Sequence, residues 1–354
     1  MSTFFTDRFS SLTPYTPGEQ PQEKKYIKLN TNESPFPPSP GVIKAVTEEA
    51  ERLRLYSDPE SRLLTKALAE HYGVRQDQVL VGNGSDELLY FAFMAYCDET
   101  HPALFPDITY GFYPVYAEVN HVPYIEIPLK EDMSIDLADY AERSGTLFLA
   151  NPNAPTGRAL SLAEIEAAVA SRPDRMHIVD EAYVDFGAES VLPLVDRYDN
   201  LIVIQTYSKS RSMAGARLGF AVGRSELIRD LNTLKYSTNP YNVNRMTSAA
   251  GIAALREDDY YRKNAAVIAE NRAWTVGELR RLGFSVVESK ANFIFARSPK
   301  IPGGDYYRKL KERGILVRHF DKARIEDYVR ITIGTKEQME ALLRETESLL
   351  EERV

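Results

Sequence analysis

Lys209 stands just past the apolar run at residues 201–204, with Ser208 before it and Arg217 eight residues further on. A lysine amine becomes a nucleophile or a proton carrier only where its surroundings make it one; alone, this one reads as a surface lysine. Three other apolar runs also end in residues with chemical potential. Asp180, Glu181 and Tyr183 follow residues 176–179, Asn151-Pro-Asn-Ala-Pro-Thr-Gly157 follows residues 146–150, and Gly82-Asn-Gly-Ser-Asp-Glu87 follows residues 79–81. A carboxylate ending a buried strand is either desolvated at a cost or paired with a cation. The proline-rich segment forces an extended turn and presents amide side chains. The glycine turn opens a helix, so the N–H groups of Gly84, Ser85 and Asp86 can face an anion with the helix dipole behind them. Taken singly, these three are an ion pair, a plain turn and a helix cap.

The runs also indicate how such ends could meet. Residues 79–81, 103–105, 124–127, 146–150, 176–179, 201–204 and 218–222 are short and β-rich, and several are continuously apolar instead of alternating. That pattern suits strands buried on both faces. Interleaving with helical stretches such as residues 86–95 favours a largely parallel α/β sheet, whose ligands bind outside the carboxyl ends of the strands. The first forty residues, rich in proline and polar groups, cannot form a long helix and read as an arm. A long helical region beyond residue 245, the segments 291–296, 314–317 and 328–333, and a closing helix from Lys336 read as a smaller α+β unit. The expected division is an arm at 1–40, a large domain at 41–245 and a small domain at 246–354.

A net charge of −8 over 354 residues argues against a general partner for nucleic acid or anionic membranes, while leaving room for a local anion pocket. No run reaches the roughly 18 apolar residues that span a bilayer, and the first residues show no signal peptide. One cysteine, Cys97, excludes an intrachain disulfide and fits a reducing compartment, so a cytoplasmic chain is expected. The five histidines are scattered, and no metal site is expected.

Joined in one crevice, the strand ends supply an anion cradle, a carboxylate, hydroxyls, an amide and a lysine. Pyridoxal 5′-phosphate is the ligand class that uses them all. The lysine forms a Schiff base, an acid keeps the pyridine nitrogen protonated, and the phosphate takes a helix N-terminus and a planar arginine, which Arg217 offers. A dinucleotide loop is disfavoured, because G-x-G-x-x-G would need glycine where Glu87 stands.

The ordered set of Gly84-Ser85-Asp86, Tyr110, residues 151–157, Asp180 to Tyr183, and Ser208-Lys209 with Arg217 resembles the fold type I pyridoxal-phosphate aminotransferases. The histidinol-phosphate aminotransferase branch is the most similar, through Leu12-Thr-Pro-Tyr15, Leu29-Asn-Thr-Asn-Glu-Ser-Pro35, Tyr56-Ser-Asp-Pro59, Asn239-Pro-Tyr-Asn-Val-Asn244, Leu316-Val-Arg318 and Val329-Arg-Ile-Thr-Ile-Gly334. The resemblance covers nearly the whole chain. It implies an aspartate-aminotransferase-like large domain, with a mainly parallel sheet flanked by helices, plus the smaller domain and the arm.

The resemblance also implies roles. Lys209 is the Schiff-base lysine, Asp180 pairs with the pyridine nitrogen, Tyr183 donates to the ring 3′ oxygen, and Tyr110 stacks on the ring. The phosphate takes the backbone of Gly84, Ser85 and Asp86 with Thr206, Ser208 and Arg217, and Tyr56 reaches it from the neighbouring subunit of a homodimer. Ala154 departs from the family, which often has asparagine there bonded to the 3′ oxygen; Asn153 is expected to take that bond, with Asn151 the alternative. Arg330 and Arg318 are the substrate-anion arginines, Tyr15 and Asn32 close the pocket, and His319 is a further departure.

The implied reaction is amino transfer between L-histidinol phosphate and 2-oxoglutarate, in histidine biosynthesis. An aromatic amino acid aminotransferase, a threonine-phosphate decarboxylase and a catalytically silent regulatory protein on the same fold are the alternatives.

Overall fold

The structure, a computed structural model, describes residues 2–352. The arm forms no long helix. Its strand β1 (Ile27–Lys28) pairs in parallel with a short strand far along the chain, at residues 315–316. Helices α1 (Pro40–Ala50) and α2 (Arg62–Tyr72) lead into β2 (Val79–Asn83) and α3 (Gly84–Tyr96). Then come β3 (Ala103–Pro106), α4 (Tyr113–Asn120), β4 (Tyr124–Ile127), β5 (Thr146–Ala150) and α5 (Leu162–Ser171). Strands β6 (His177–Asp180), β7 (Leu201–Thr206) and β8 (Leu218–Gly223) complete a seven-stranded sheet in the order β2-β8-β7-β6-β5-β3-β4. Five neighbouring strands, from β7 to β4, run parallel, whereas β8 is antiparallel to both β7 and β2.

Every residue of β3, β5, β6, β7 and β8 is buried, which is why these runs show no alternation. The two-residue period still sorts their side chains. Leu147, Leu149, Val179, Leu201 and Val203 enter one core with α2 and α5, while Phe148, Ile178, Ile202 and Ile204 enter another with α3 and α4.

Helix α6 (Ser225–Thr238) covers the second core through Ile228 and Leu231. Helix α7 (Arg245–Arg256) packs on α1 and α2 and adds Ala250, Ala254 and Leu255 to the first core. The boundary expected at residue 245 is therefore too early. Packing divides the chain inside α8 (Asp258–Arg281), whose Tyr261 belongs to the large-domain core and whose Ala265 and Ile268 belong to the small-domain core.

The small domain continues through β9 (Ser285–Val287), β10 (Phe293–Arg297), α9 (Gly303–Glu312), β11 (Ile315–Leu316), β12 (Arg318–His319), β13 (Tyr328–Thr332) and α10 (Lys336–Glu351). Its four-stranded antiparallel sheet runs β12-β13-β10-β9. The segment 314–317 holds β11, which leaves the small sheet to pair with β1, and a separate strand, β12, follows it beside β13. Among the described residues no helix is long and apolar enough to cross a membrane.

Phe148 is fully buried in β5, its ring stacked on Phe93 at 3.9 Å between centroids. Phe148→Ala should cost about 3–5 kcal/mol of stability, read as a lower urea midpoint; an unchanged midpoint would mean that the core collapses onto the gap.

Candidate functional site

All the parallel strands end on one edge of the sheet, and β8 starts there because it runs the opposite way. A cavity of about 150 Å³ lies across these ends. Asp180 closes β6, Thr206 closes β7, Pro152 and Ala154 follow β5, Ser85 and Asp86 open α3, and Arg217 immediately precedes β8; all line this cavity.

One end of the cavity is built around Arg217. Arg217 Nη2 lies 2.7 Å from Asp86 Oδ2, and Nη1 donates to Ser208 Oγ at 3.3 Å. Thr206 ties the turn together, its hydroxyl accepting Ser208 N–H at 3.1 Å. Gly84 has φ +79°, and a Cβ there would fall 2.4 Å from Arg217 Nη2, so only glycine lets the arginine lie against the start of α3. Glu87, where a dinucleotide loop would need glycine, accepts Asn83 N–H at 2.7 Å. The helix cap and the anion cradle thus occupy the same turn.

The other end is a carboxylate. Asp180 is 5% exposed, accepting from Tyr113 Oη at 3.3 Å and from Ala182 N–H at 3.1 Å. Among the described residues no lysine or arginine pairs with it, and burial pushes its pKa up to about 7. Tyr113 is a site residue that the sequence reading missed; its segment draws attention only to Tyr110. Tyr110 lines the cavity and donates to Asp86 Oδ1 at 2.6 Å.

Between these ends stands Lys209, its Nζ 5.7 Å from the centre of the Tyr183 ring and 3.4 Å from Thr31 O. Lys209, Tyr183, Tyr110, Thr31 and Ala154 also line a second cavity of about 330 Å³, so the two spaces meet at the lysine. The small domain and the arm form the far walls of the second cavity. Arg330 lies between the Phe293 and Phe320 rings, its Nη2 donating to Asn30 O at 3.0 Å. Its Nε is buried without a partner among the described residues. Arg318 holds the arm in place, donating to Thr16 O at 2.8 Å and Pro17 O at 3.0 Å. Tyr15 stacks on Phe112 at 4.2 Å, and Asn32 turns its amide to Tyr183. Lys322 and Ile325, not anticipated from the sequence, complete this wall; they come from a loop with no motif around it.

One expectation changes. Asn153 is fully buried and donates to Ile108 O and Thr156 Oγ1 while accepting from Thr109, and Asn151 makes both its amide bonds with the Leu160 backbone. Neither asparagine lines the cavity, so neither replaces the side chain absent at Ala154. Tyr56, expected to act in a neighbouring subunit's site, lies outside both cavities of its own chain, 79% exposed and stacked on Tyr241 at 4.7 Å. His319 likewise turns away, its Nε2 2.7 Å from Glu326 O. A planar ring with a protonated nitrogen at Asp180 and an anionic tail at Arg217 fits the charges that remain.

Residues 24–345 match the family described as aminotransferase class I and II. The chain is 48% identical to the histidinol-phosphate aminotransferase of Brachyspira hyodysenteriae, covering 96% of this chain and 97% of that one. It is 49% identical to histidinol-phosphate aminotransferase 1 of Bradyrhizobium diazoefficiens, covering 97% and 98%. Histidinol-phosphate aminotransferase from Sinorhizobium meliloti, solved in complex with pyridoxal-5′-phosphate, superposes with a TM-score of 0.89 at 24% identity, over 100% of this chain and 99% of that one. L-threonine-O-3-phosphate decarboxylase from Porphyromonas gingivalis superposes with a TM-score of 0.81 at 23% identity, over 92% and 99%. These two structures share the fold expected from the sequence.

In the ligand-free protein Asp180 keeps its proton to about pH 7, whereas in the unfolded chain an aspartate loses it near pH 4, about three units lower. The folded state holds more protons within that window, so this group's contribution makes stability fall as pH rises from about 4 to about 7. Asp180→Asn should show a smaller fall in urea midpoint across the same range; an equal fall would assign the slope to other groups.

Proposed function

Because this chain belongs to the class I and II aminotransferases, a family that works with pyridoxal 5′-phosphate, we propose that it moves an amino group from L-histidinol phosphate to 2-oxoglutarate in histidine biosynthesis. The observation that carries this reading is Lys209 at the junction of two cavities, one with a carboxylate and an anion cradle, the other with two arginines. The names of the relatives that are nearly half identical over almost the full length point to the same donor.

When bound, pyridoxal phosphate supplies an aldehyde that captures the donor amine and a ring that draws electrons from the neighbouring bond. Asp180 would hold the pyridine nitrogen in its protonated form, and that positive charge would in turn draw the carboxyl down from its raised pKa. Arg217 and Ser208, with Ser85 and the opening N–H groups of α3, hold the phosphate through charge-assisted hydrogen bonds. Tyr110 would cover one face of the ring, and Tyr183 would donate to its 3′ oxygen. Lys209 Nζ would take up the proton of the donor's reacting carbon and later give it back, as general base and then acid. Arg330, with its open Nε, and Arg318 bind the phosphate of the donor or the carboxylate of the acceptor. Tyr15 and the arm, tied down by Arg318, keep water from the reacting atoms.

The enzyme works as a homodimer in the cytoplasm, with Tyr56 of one subunit reaching the phosphate in the other. Leu53, Leu55 and Tyr56 are all exposed in one segment, an apolar surface that association would cover.

Adding L-histidinol phosphate without a keto acid should convert the visible absorption of the bound cofactor to that of its amine form. Lys209→Ala should bind cofactor yet lose at least about 10³-fold in turnover; near-normal turnover would reject the lysine's role. Tyr56→Phe should weaken cofactor binding about tenfold or more in a protein that sediments as a dimer; wild-type affinity would place Tyr56 away from the phosphate.

A further inference from the structure

Tyr183 lines both cavities, and its hydroxyl oxygen accepts a hydrogen bond from Asn32 Nδ2 at 2.9 Å. The Asn32 amide has a set orientation. The Thr332 hydroxyl donates to Asn32 Oδ1 at 3.1 Å while accepting Asn32 N–H at 2.9 Å, which leaves Nδ2 facing the tyrosine. A tyrosine oxygen that accepts from an amide still has its own proton to give, and among the described residues no acceptor takes it. Asn32 is 1% exposed, with φ +57°, and its carbonyl is held by Asn292 Nδ2 at 2.9 Å. The surroundings therefore hold a left-handed backbone conformation at this position, at some cost in strain. Meanwhile Ala154 leaves the ring side of the cavity without an amide, and Asn151 and Asn153 are engaged elsewhere.

We propose that Asn32 is a positioning residue that directs the Tyr183 hydroxyl proton onto the cofactor's 3′ oxygen, acting at one remove for the side chain missing at position 154. The inference rests on the reading that pyridoxal phosphate occupies the smaller cavity with that oxygen at Tyr183. A proton donated there favours the negative form of the oxygen and so lowers the pKa of the nitrogen joining Lys209 to the cofactor. The device belongs partly to the small domain. Thr332 follows Arg330 by two residues on β13 and shares its face, so one strand both presents the anion-binding arginine and fixes the amide of Asn32.

The test is a pH titration of the visible absorption of the substrate-free holoenzyme. Asn32→Ala should raise the midpoint by about half a unit to one unit, and Tyr183→Phe should raise it at least as far. Adding Ala154→Asn to Asn32→Ala should bring the midpoint back towards wild type, a rescue that a purely structural role would not give. Thr332→Val, which leaves Asn32 in place but frees its amide, should shift the midpoint in the same direction and serves if Asn32→Ala does not fold. A wild-type midpoint in both Asn32→Ala and Thr332→Val, with Tyr183→Phe shifted, would overturn the role of Asn32 alone. A wild-type midpoint in Tyr183→Phe as well would overturn the placement of the ring on which the inference rests.

Discussion

Asp180 sits at the end of β6 with a tyrosine hydroxyl and a backbone N–H as its partners, in a sheet covered on both faces, and ionising it there is costly. The rest of the site is arranged around that cost. Lys209 is directed over Tyr183, and Arg217 is paired with Asp86 at the opposite end of the cavity. A carboxylate left without a cation in this way is matched by a ligand that brings its own positive charge. Such a separation survives only on a rigid frame, and the fully buried strands β5, β6 and β7 supply one.

The two cavities divide the work between domains. The smaller is built mainly from the ends of the large-domain strands, the loops that follow them and the first turn of α3, with Thr31 and Glu33 of the arm. The larger takes its far walls from the arm, from β13 and from the loop carrying Phe320, Lys322 and Ile325. The arm joins both bodies: β1 pairs with β11, Arg318 grips the carbonyls of Thr16 and Pro17, and Asn32 meets Tyr183. Substrate recognition and the tuning of the ring oxygen are thus coupled through one segment and one strand.

Much of this was legible in the chain because the strands of a doubly covered sheet announce themselves as unbroken apolar runs, and the residues after each run must lie on its edge. Lys209, Asp180, Tyr183 and Ser85 stand shortly after such runs, and Arg217 just before the next. The misplaced boundary at residue 245 has a simple cause: the apolar stripe of α7 is the same whether it meets the small domain or α1 and α2. The pairing of β11 with the distant β1 was not legible because hydropathy does not record which neighbour each residue pairs with. Asn153 looked available because a turn shows its amides without showing that Ile108, Thr109 and Thr156 consume their bonds.

By itself, then, the sequence determined the kind of chemistry and the sheet that carries it, since residue type and local periodicity are properties of neighbours along the chain. The tertiary structure alone decided that Tyr113 supports Asp180, that Asn32 faces Tyr183 instead of simply closing the pocket, and that Ala154 is not compensated by the asparagines beside it. The bonds from Tyr113 to Asp180 and from Asn32 to Tyr183 span 67 and 151 residues, and Thr332 fixes an amide 300 positions earlier. Such a bond has a direction and a limited number of partners, and only the folded geometry assigns them.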